Sequence, residues 1–493
     1  MNTSDHQHPD AGPAVTIVGS GFSGLGMAIR LKKSGMDDFV ILEKEDDIGG
    51  TWRDNSYPGC GCDVQSHLYS FSFELNPAWS RTFARQEEIW DYLRHCADKY
   101  ELWPHIRFGA ALVRSEFDEE TGAWLVTTNR GETFTSRAVV LGTGPLHQPA
   151  YPNVPGMEKF EGRMFHSAQW DHSYDLTGKR VAVIGTGASA IQFVPQIATR
   201  VEQLHLFQRT PPWVMPKPDH PISGRQQQLF RRFPVLQRLR RDAIYWQLEG
   251  RVLGFTHPAL MKLVEAGARR FIRRHIRDPW LREAVTPDYR MGCKRVLMSN
   301  DYYPTLDREN VNVVTGGLAE VRENSVVTRD GTEHPVDAII FGTGFHVSDA
   351  FEHLEIVGSG GAKIQDTWRD GIEAYLGVTV SGFPNLFFLL GPNSGLAHNS
   401  MVFMVESQVN YVMSYLRTLF GENASYLDLR AGEQRRFNRR LQQRLASTVW
   451  NTGGCNSWYL DANGRNSTLW PGFTVEYWLR TRRMNKDDYE IKA

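Results

Sequence analysis

Two stretches carry glycines at a spacing that serves phosphate chemistry. They are VGSGFSG at 18–24, with Gly19, Gly21 and Gly24, and IGTGASAIQ at 184–192, with Gly185, Gly187 and Ala190. Such a turn binds a pyrophosphate because glycine lets the backbone come close. The helix that follows offers free N–H groups and the positive end of its dipole. The turns are alike, but the residues that close the two sites differ. Glu43 lies 19 residues after Gly24, and Arg209 lies 19 residues after Ala190. A carboxylate accepts hydrogen bonds from ribose hydroxyls and suits an adenosine without a 2′-phosphate. A guanidinium forms charge-assisted bonds to a 2′-phosphate, which a carboxylate repels. The first turn is therefore expected to hold FAD and the second NADPH. Two dinucleotides in one chain mean electron transfer from nicotinamide to flavin. A disulfide acceptor needs a C-x-x-C pair beside the flavin, and the chain has none. Molecular oxygen is the leading acceptor.

These residues need elements that place them. AVTIV (14–18) leads as a strand into the first turn, SGLGMAIRLKKSG follows as a helix, and DFVILEKE returns as a strand. KRVAVIG, ASAIQFVPQIATR and LHLFQR repeat the order around the second turn, so two βαβ units are predicted. Residues 124–144 read as a hairpin followed by a buried strand, and VDAIIFGTG (336–344) repeats that last strand with its glycine turn. Residues 225–290 are arginine-rich with little β pattern and read as helices whose basic face could meet a membrane or partner, with a solvated face the favoured reading. The predicted architecture is α/β, with two Rossmann-like dinucleotide-binding domains and an α-helical insertion. Residues 1–150 and 346–493 form the FAD domain, 151–216 and 291–345 the NADPH domain, and 217–290 the insertion.

Bulk properties narrow the classes. At 493 residues and 41% apolar content the chain supports two or three cores. A net charge of −1 points to neither nucleic acid nor an anionic membrane. No apolar run reaches the roughly 18 residues of a membrane span. The polar start MNTSDHQHPDAGP reads as a disordered tail rather than a signal peptide. Five cysteines, an odd number, suggest reduced thiols and a cytoplasmic setting. Cys60 and Cys62 read as loop thiols, because their spacing and surroundings fit neither a redox pair nor a metal site.

Two longer patterns carry a resemblance. FEGRMFHSAQWD (160–171) fits F-x-G-x-x-x-H-x-x-x-W-(P or D) at Phe160, Gly162, His166, Trp170 and Asp171. GGTWRDNSYPGCGCD (49–63) fits G-G-x-W-x4-(F/Y)-P-(G/M)-x3-D through Gly50, Trp52, Tyr57, Pro58, Gly59 and Asp63. With them the chain resembles the class B flavoprotein monooxygenases, and within these the type I Baeyer–Villiger monooxygenases. The resemblance implies that NADPH reduces the flavin and that oxygen adds at C4a to give a peroxyflavin. This attacks a ketone and inserts one oxygen atom, giving an ester or lactone; the resemblance extends the expected chemistry to sulfide oxidation. Arg295, in CKRVLMSNDYY, then keeps the peroxide charged and steadies the adduct. Asp63 pairs with it near the flavin.

The resemblance also assigns contacts. On the FAD side these are Gly19, Gly21, Phe22 and Gly24 in the turn, and Glu43 with Lys44 at the strand end. Gly50, Thr51, Trp52, Asp63 and Tyr69 follow around the flavin, and Gly142 with Thr143 in LGTG. On the NADP side they are Gly185, Thr186, Gly187, Ser189 and Ala190. Lys294, Arg209 and Thr210 clamp the 2′-phosphate. Trp458 is either a mobile-loop tryptophan closing over NADP or a plain core aromatic. His166 reads as a hinge that couples domain motion to catalysis, not as a proton donor. GPNSGLAHNSM (391–401) is expected under the flavin ring. The short pattern ends in Trp-Asp where many ketone-oxidising relatives have Trp-Pro, which leaves fine substrate preference open. The expected partners are a small ketone and O2, with no nucleic acid and no transmembrane segment, in a monomer or homodimer. The rival readings are an N-hydroxylating or heteroatom-oxidising flavin monooxygenase and a non-catalytic nucleotide sensor.

Overall fold

The computed structural model describes residues 12–347, 354–461 and 463–493. The polar N-terminal tail lies outside the described residues up to position 11. Two five-stranded parallel sheets organise the chain. The first runs, in spatial order, Leu386–Phe388, Ala138–Leu141, Val15–Val18, Phe39–Leu42 and Ile106–Arg107. The second runs Val311–Val314, Gln203–Phe207, Arg180–Ile184, Ala338–Phe341 and Arg163–His166. Strands VTIV, FVIL, AVVL and AIIF are buried at every position. They are continuously apolar because helices and loops cover both faces of a parallel sheet.

The sheets share a further device. An antiparallel meander (Leu112–Asp118, Ala123–Thr128, Thr133–Ser136) precedes strand Ala138–Leu141. Another (Leu318–Arg322, Ser325–Thr328, Glu333–Pro335) precedes Ala338–Phe341. Each returning strand ends in a glycine that packs under the nucleotide turn of its own sheet. A Cβ on Gly19 would sit 2.7 Å from the Gly142 oxygen, and one on Gly185 would sit 2.5 Å from the Gly342 oxygen. Both turn glycines have positive φ, +95° and +107°, so only glycine takes these places without strain.

Between strands Gln203–Phe207 and Val311–Val314 stand helices Gly224–Arg232, Pro234–Glu249, Val252–Thr256, Pro258–His275 and Pro279–Ala284. This stretch is helical, as its sequence suggested. The 21-residue helix Met401–Gly421 packs on helix Phe22–Lys33 behind the first sheet. Among the described residues no helix is long and apolar enough to cross a membrane.

Candidate active site

The first cradle forms where strand Val15–Val18 gives way to helix Phe22–Lys33. No side chain caps that helix, so its first N–H groups are free for a ligand. Space above Gly21 is open: a Cβ there would meet nothing nearer than 3.8 Å, on the Gly50 backbone. Gly24 cannot change, because its Cβ would lie 1.8 Å from the Gly19 oxygen. Glu43 is buried at the end of the second strand. Its Oε2 accepts from Ser20 N at 2.9 Å and Ser20 Oγ at 2.5 Å, and Arg53 Nη1 lies 3.2 Å from Oε1. A serine within the turn thus aims the carboxylate back at the cradle. Beside it Phe22 and Tyr69 meet edge to face at 5.2 Å, and Trp52 Nε1 donates to Tyr69 Oη at 3.2 Å. Thr51 and Trp52 open the short helix after Gly50 (φ +52°). Thr143 follows Gly142 on the facing strand end, and Lys44 is ion-paired with Glu45 at 3.4 Å.

The second cradle repeats the plan. Helix Ala190–Ile197 is also uncapped by side chains, with Ser189 at its N-cap. Gly187 is open, its Cβ no nearer than 3.9 Å to any atom. Thr186 Oγ1 donates to the Thr210 carbonyl at 3.3 Å, joining the turn to the strand end. Arg209 is exposed there. Burial, and then the nearby Arg209 guanidinium, hold the Lys294 ammonium below its ordinary range, with Asp288 opposing. Two cations this close repel each other, and an anion between them would relieve that repulsion.

Between the cradles lies an ion pair. Arg295 Nε and Nη2 donate to Asp63 Oδ2 at 3.0 and 2.6 Å. Burial works to raise Asp63, but the guanidinium overrides it and holds the carboxyl below the usual range. Asp63 in turn raises Arg295, against burial, so the arginine is a permanent cation. Each partner is held by its own loop. Gln192, from the helix after the second turn, donates to the Gly61 carbonyl at 2.9 Å and accepts from Tyr57 Oη at 3.0 Å. Glu265, in helix Pro258–His275, accepts from Arg290 Nη1 at 2.8 Å and Met291 N at 2.9 Å. The helical insertion therefore sets the approach of the Arg295 loop. From the other side Arg295 Nη1 donates to the Leu396 carbonyl at 3.5 Å, within the 391–401 turn.

Three residues here escaped the sequence reading. Lys217 Nζ donates to the Cys62 carbonyl at 3.0 Å and adds a second cation beside Asp63, its ammonium lowered by burial. Nothing in its PKP context marks it. Gln192 stands inside the quoted turn motif, where its reach to the 57–61 loop is visible only in three dimensions. Tyr459 is wholly buried, and its hydroxyl has no partner among the described residues.

One expectation is corrected. The cysteines are not all reduced: Cys293 and Cys455 form a disulfide, with Cα atoms 6.2 Å apart. An odd count forces one cysteine to stay unpaired but does not exclude a bridge, and packing of the 453–459 loop on the 291–295 loop makes one. The bond ties the residue before Lys294 and Arg295 to the loop bearing Trp458, and it removes the thiol argument for compartment. Cys60, Cys62 and Cys96 remain free and buried. Burial pushes Cys60 up to about 12, so it behaves as an inert thiol. Trp458 itself is 49% exposed and is not a core aromatic.

His166 is fully buried where the two connections between the sheets cross. Ala150 N donates to the Gly344 carbonyl at 2.9 Å, and the His166 ring meets Tyr151 at 5.5 Å and Phe345 at 5.7 Å. Burial lowers it to about 4, so it is neutral at working pH. Burial likewise lowers His67 and His205 to about 4. In the unfolded chain these groups titrate near 6.5, so acidification below 6.5 loads protons on the unfolded state first. Stability is expected to fall as pH drops from about 7 to 5, by ~1–3 kcal/mol per histidine. Asp428, raised by burial to about 6, opposes this, as do the raised carboxyls of Asp54 and Glu406. Denaturant midpoints at the two pH values check it, and His166→Asn is expected to shrink the difference.

Comparisons place the chain among known proteins. The family model described as "Flavin-binding monooxygenase-like" matches residues 12–241. A protein named Baeyer-Villiger monooxygenase from Pseudomonas aeruginosa is 53% identical over 97% of this chain and 91% of its own. One of the same name from Streptomyces coelicolor is 51% identical over 99% and 94%. Among solved structures, an oxidized steroid monooxygenase bound to NADP superposes with a TM-score of 0.88 at 30% identity, covering 98% of this chain and all of that one. A closed cyclohexanone monooxygenase superposes at 0.89 with 26% identity, covering 98% and 99%.

Proposed function

The chain belongs to the Baeyer–Villiger monooxygenases, and we propose that it inserts one atom of O2 beside the carbonyl of a small ketone, giving an ester or lactone, with Arg295 and Asp63 at the reacting centre. It is an FAD- and NADPH-dependent flavoprotein. The observation that supports the site assignment best is the Asp63–Arg295 pair between two open glycine cradles.

The residues present fit both dinucleotides. Gly21 and Gly187 leave the backbone bare where a pyrophosphate must approach, each before an uncapped helix. Residues 1–150 with 346–493 hold FAD in this reading, and 151–216 with 291–345 hold NADPH. Glu43 takes the ribose hydroxyls of the first, and Arg209, Lys294 and Thr210 take the 2′-phosphate of the second. Trp52, Phe22 and Tyr69 wall the flavin side, and Trp458 covers the nicotinamide side. Bound flavin, reduced by NADPH, supplies the activated oxygen.

The protein's own part is electrostatic. Arg295 is a fixed cation whose Nη1 is bound only by a long contact, at 3.5 Å. It would stabilise negative charge developing on the carbonyl oxygen of a ketone bound beside it. Asp63 is ionised and accepts from Arg295 with one oxygen, so it aims the guanidinium and takes no proton. His166, neutral and buried at the crossing of the connections, acts as a hinge. Sulfide oxidation and a cytoplasmic setting, where NADPH is abundant, complete the reading.

The test is product mass from a panel of linear, cyclic and aryl ketones, run with NADPH and air beside a primary amine. A gain of one oxygen on a ketone, as ester or lactone, supports it. A hydroxylamine with no ester would move the enzyme to amine oxidation.

A further inference from the structure

The near-neutral chain hides a local charge. Residues 224–284 carry fourteen Lys and Arg against five Asp and Glu, while the whole chain is at −1. That segment also exposes apolar side chains that no described element covers. On helix Pro234–Glu249, Gln237, Arg241, Ile244 and Leu248 face inward. The opposite face shows Val235 (60% exposed), Leu239 (59%) and Trp246 (60%), spaced by four and seven residues on one stripe. Arg238 and Arg240, both exposed, flank Leu239 on either side.

A second helix extends the stripe. Tyr245 Oη and Thr474 Oγ1 are 2.9 Å apart, and Glu249 accepts from Thr474 Oγ1 at 2.7 Å and Val475 N at 3.1 Å. These bonds clamp helix Thr474–Thr481 beside Pro234–Glu249. Trp246 and Trp478 line one cavity of about 370 Å³ between them. On the outer side of the second helix, Leu479 is 55% exposed, and the Arg482 guanidinium lies 4.8 Å from the Trp478 ring. The acidic groups on this face are Asp242, between Leu239 and Trp246, and Glu476, already paired with Arg444 and Arg480.

We propose that the joined outer faces of helices Pro234–Glu249 and Thr474–Thr481 dock the enzyme on an anionic lipid surface. Leucine, valine and tryptophan on an exposed stripe match the headgroup–acyl boundary, and flanking arginines reach lipid phosphates while their stems lie on apolar ground. Charge complementarity selects this occupant over a second copy of the chain. Two such faces brought together would set arginine against arginine. Nucleic acid offers nothing to the aliphatic stripe.

Sedimentation of the holoenzyme with vesicles tests the idea, using phosphatidylcholine alone and phosphatidylcholine mixed with phosphatidylglycerol. Binding to the anionic vesicles is expected to exceed binding to neutral ones by about tenfold or more and to weaken in high salt. The double substitution Leu239→Glu with Trp246→Glu is expected to abolish it while FAD content and NADPH oxidation in solution stay at the parent level. Absence of vesicle binding, or equal binding by the variant, overturns the proposal. So does a variant that changes only the oligomeric state in light scattering, which would make the face a self-interface.

Discussion

Arg295→Ala is expected to keep its flavin and to go on oxidising NADPH, while ester formation falls by about 10²–10³-fold. The separation follows from where the residue sits. Arg295 hydrogen-bonds to Asp63 and the Leu396 carbonyl, and to no glycine of either nucleotide turn. Cofactor uptake therefore does not depend on it. Carbon–oxygen bond formation does, because negative charge moves onto the substrate oxygen and Arg295 is the preorganised cation that meets it. Removing one preorganised donor from such a site costs about 3–4 kcal/mol of barrier. Oxygen reduced by the enzyme then leaves as hydrogen peroxide, and NADPH consumption separates from product. Arg295→Lys is expected to recover little, since an ammonium offers no fork to hold Asp63 and a substrate at once. Parallel assays of NADPH loss and ester yield check this. Ester yield at the parent level in the alanine variant would falsify the assignment.

Arg209→Ala should raise the Michaelis constant for NADPH by about 10- to 100-fold and leave that for NADH nearly unchanged. Charge-assisted hydrogen bonds contribute about 1.5–3 kcal/mol each, and only NADPH carries the 2′-phosphate that uses them. Arg209 is exposed on the strand end and close enough to Lys294 to depress it. The pair repels itself without an anion, so binding NADPH relieves a strain that NADH leaves in place. An equal change for both nucleotides would remove Arg209 from the phosphate site. Lys294→Ala is expected to act in the same direction, with less than additive loss in the double variant, because the two share one ligand group.

Much of the scaffold was legible because it is local. A strand, a glycine turn, a helix and a strand lie within about thirty residues, and backbone sterics at Gly19 and Gly24 allow one path. The offset that sets Glu43 against Arg209 needs no tertiary information. The helical insertion was legible as helix from its arginine-rich, strand-poor pattern. Its outer face was not, since a solvated basic helix and an apolar stripe between arginines differ only in which residues other elements cover.

Taken by itself, the order of residues determined two nucleotide turns, their unlike closing residues, and the fingerprints that tie the chain to its family. Only the tertiary structure decided that Asp63 meets Arg295 across 232 residues, that Lys217 stands beside Asp63, that Ser20 and Arg53 engage Glu43, and that Cys293 finds Cys455. The physical reason is range. A turn is selected by the torsions of adjacent residues, whereas the meeting of two distant loops depends on every helix packed between them.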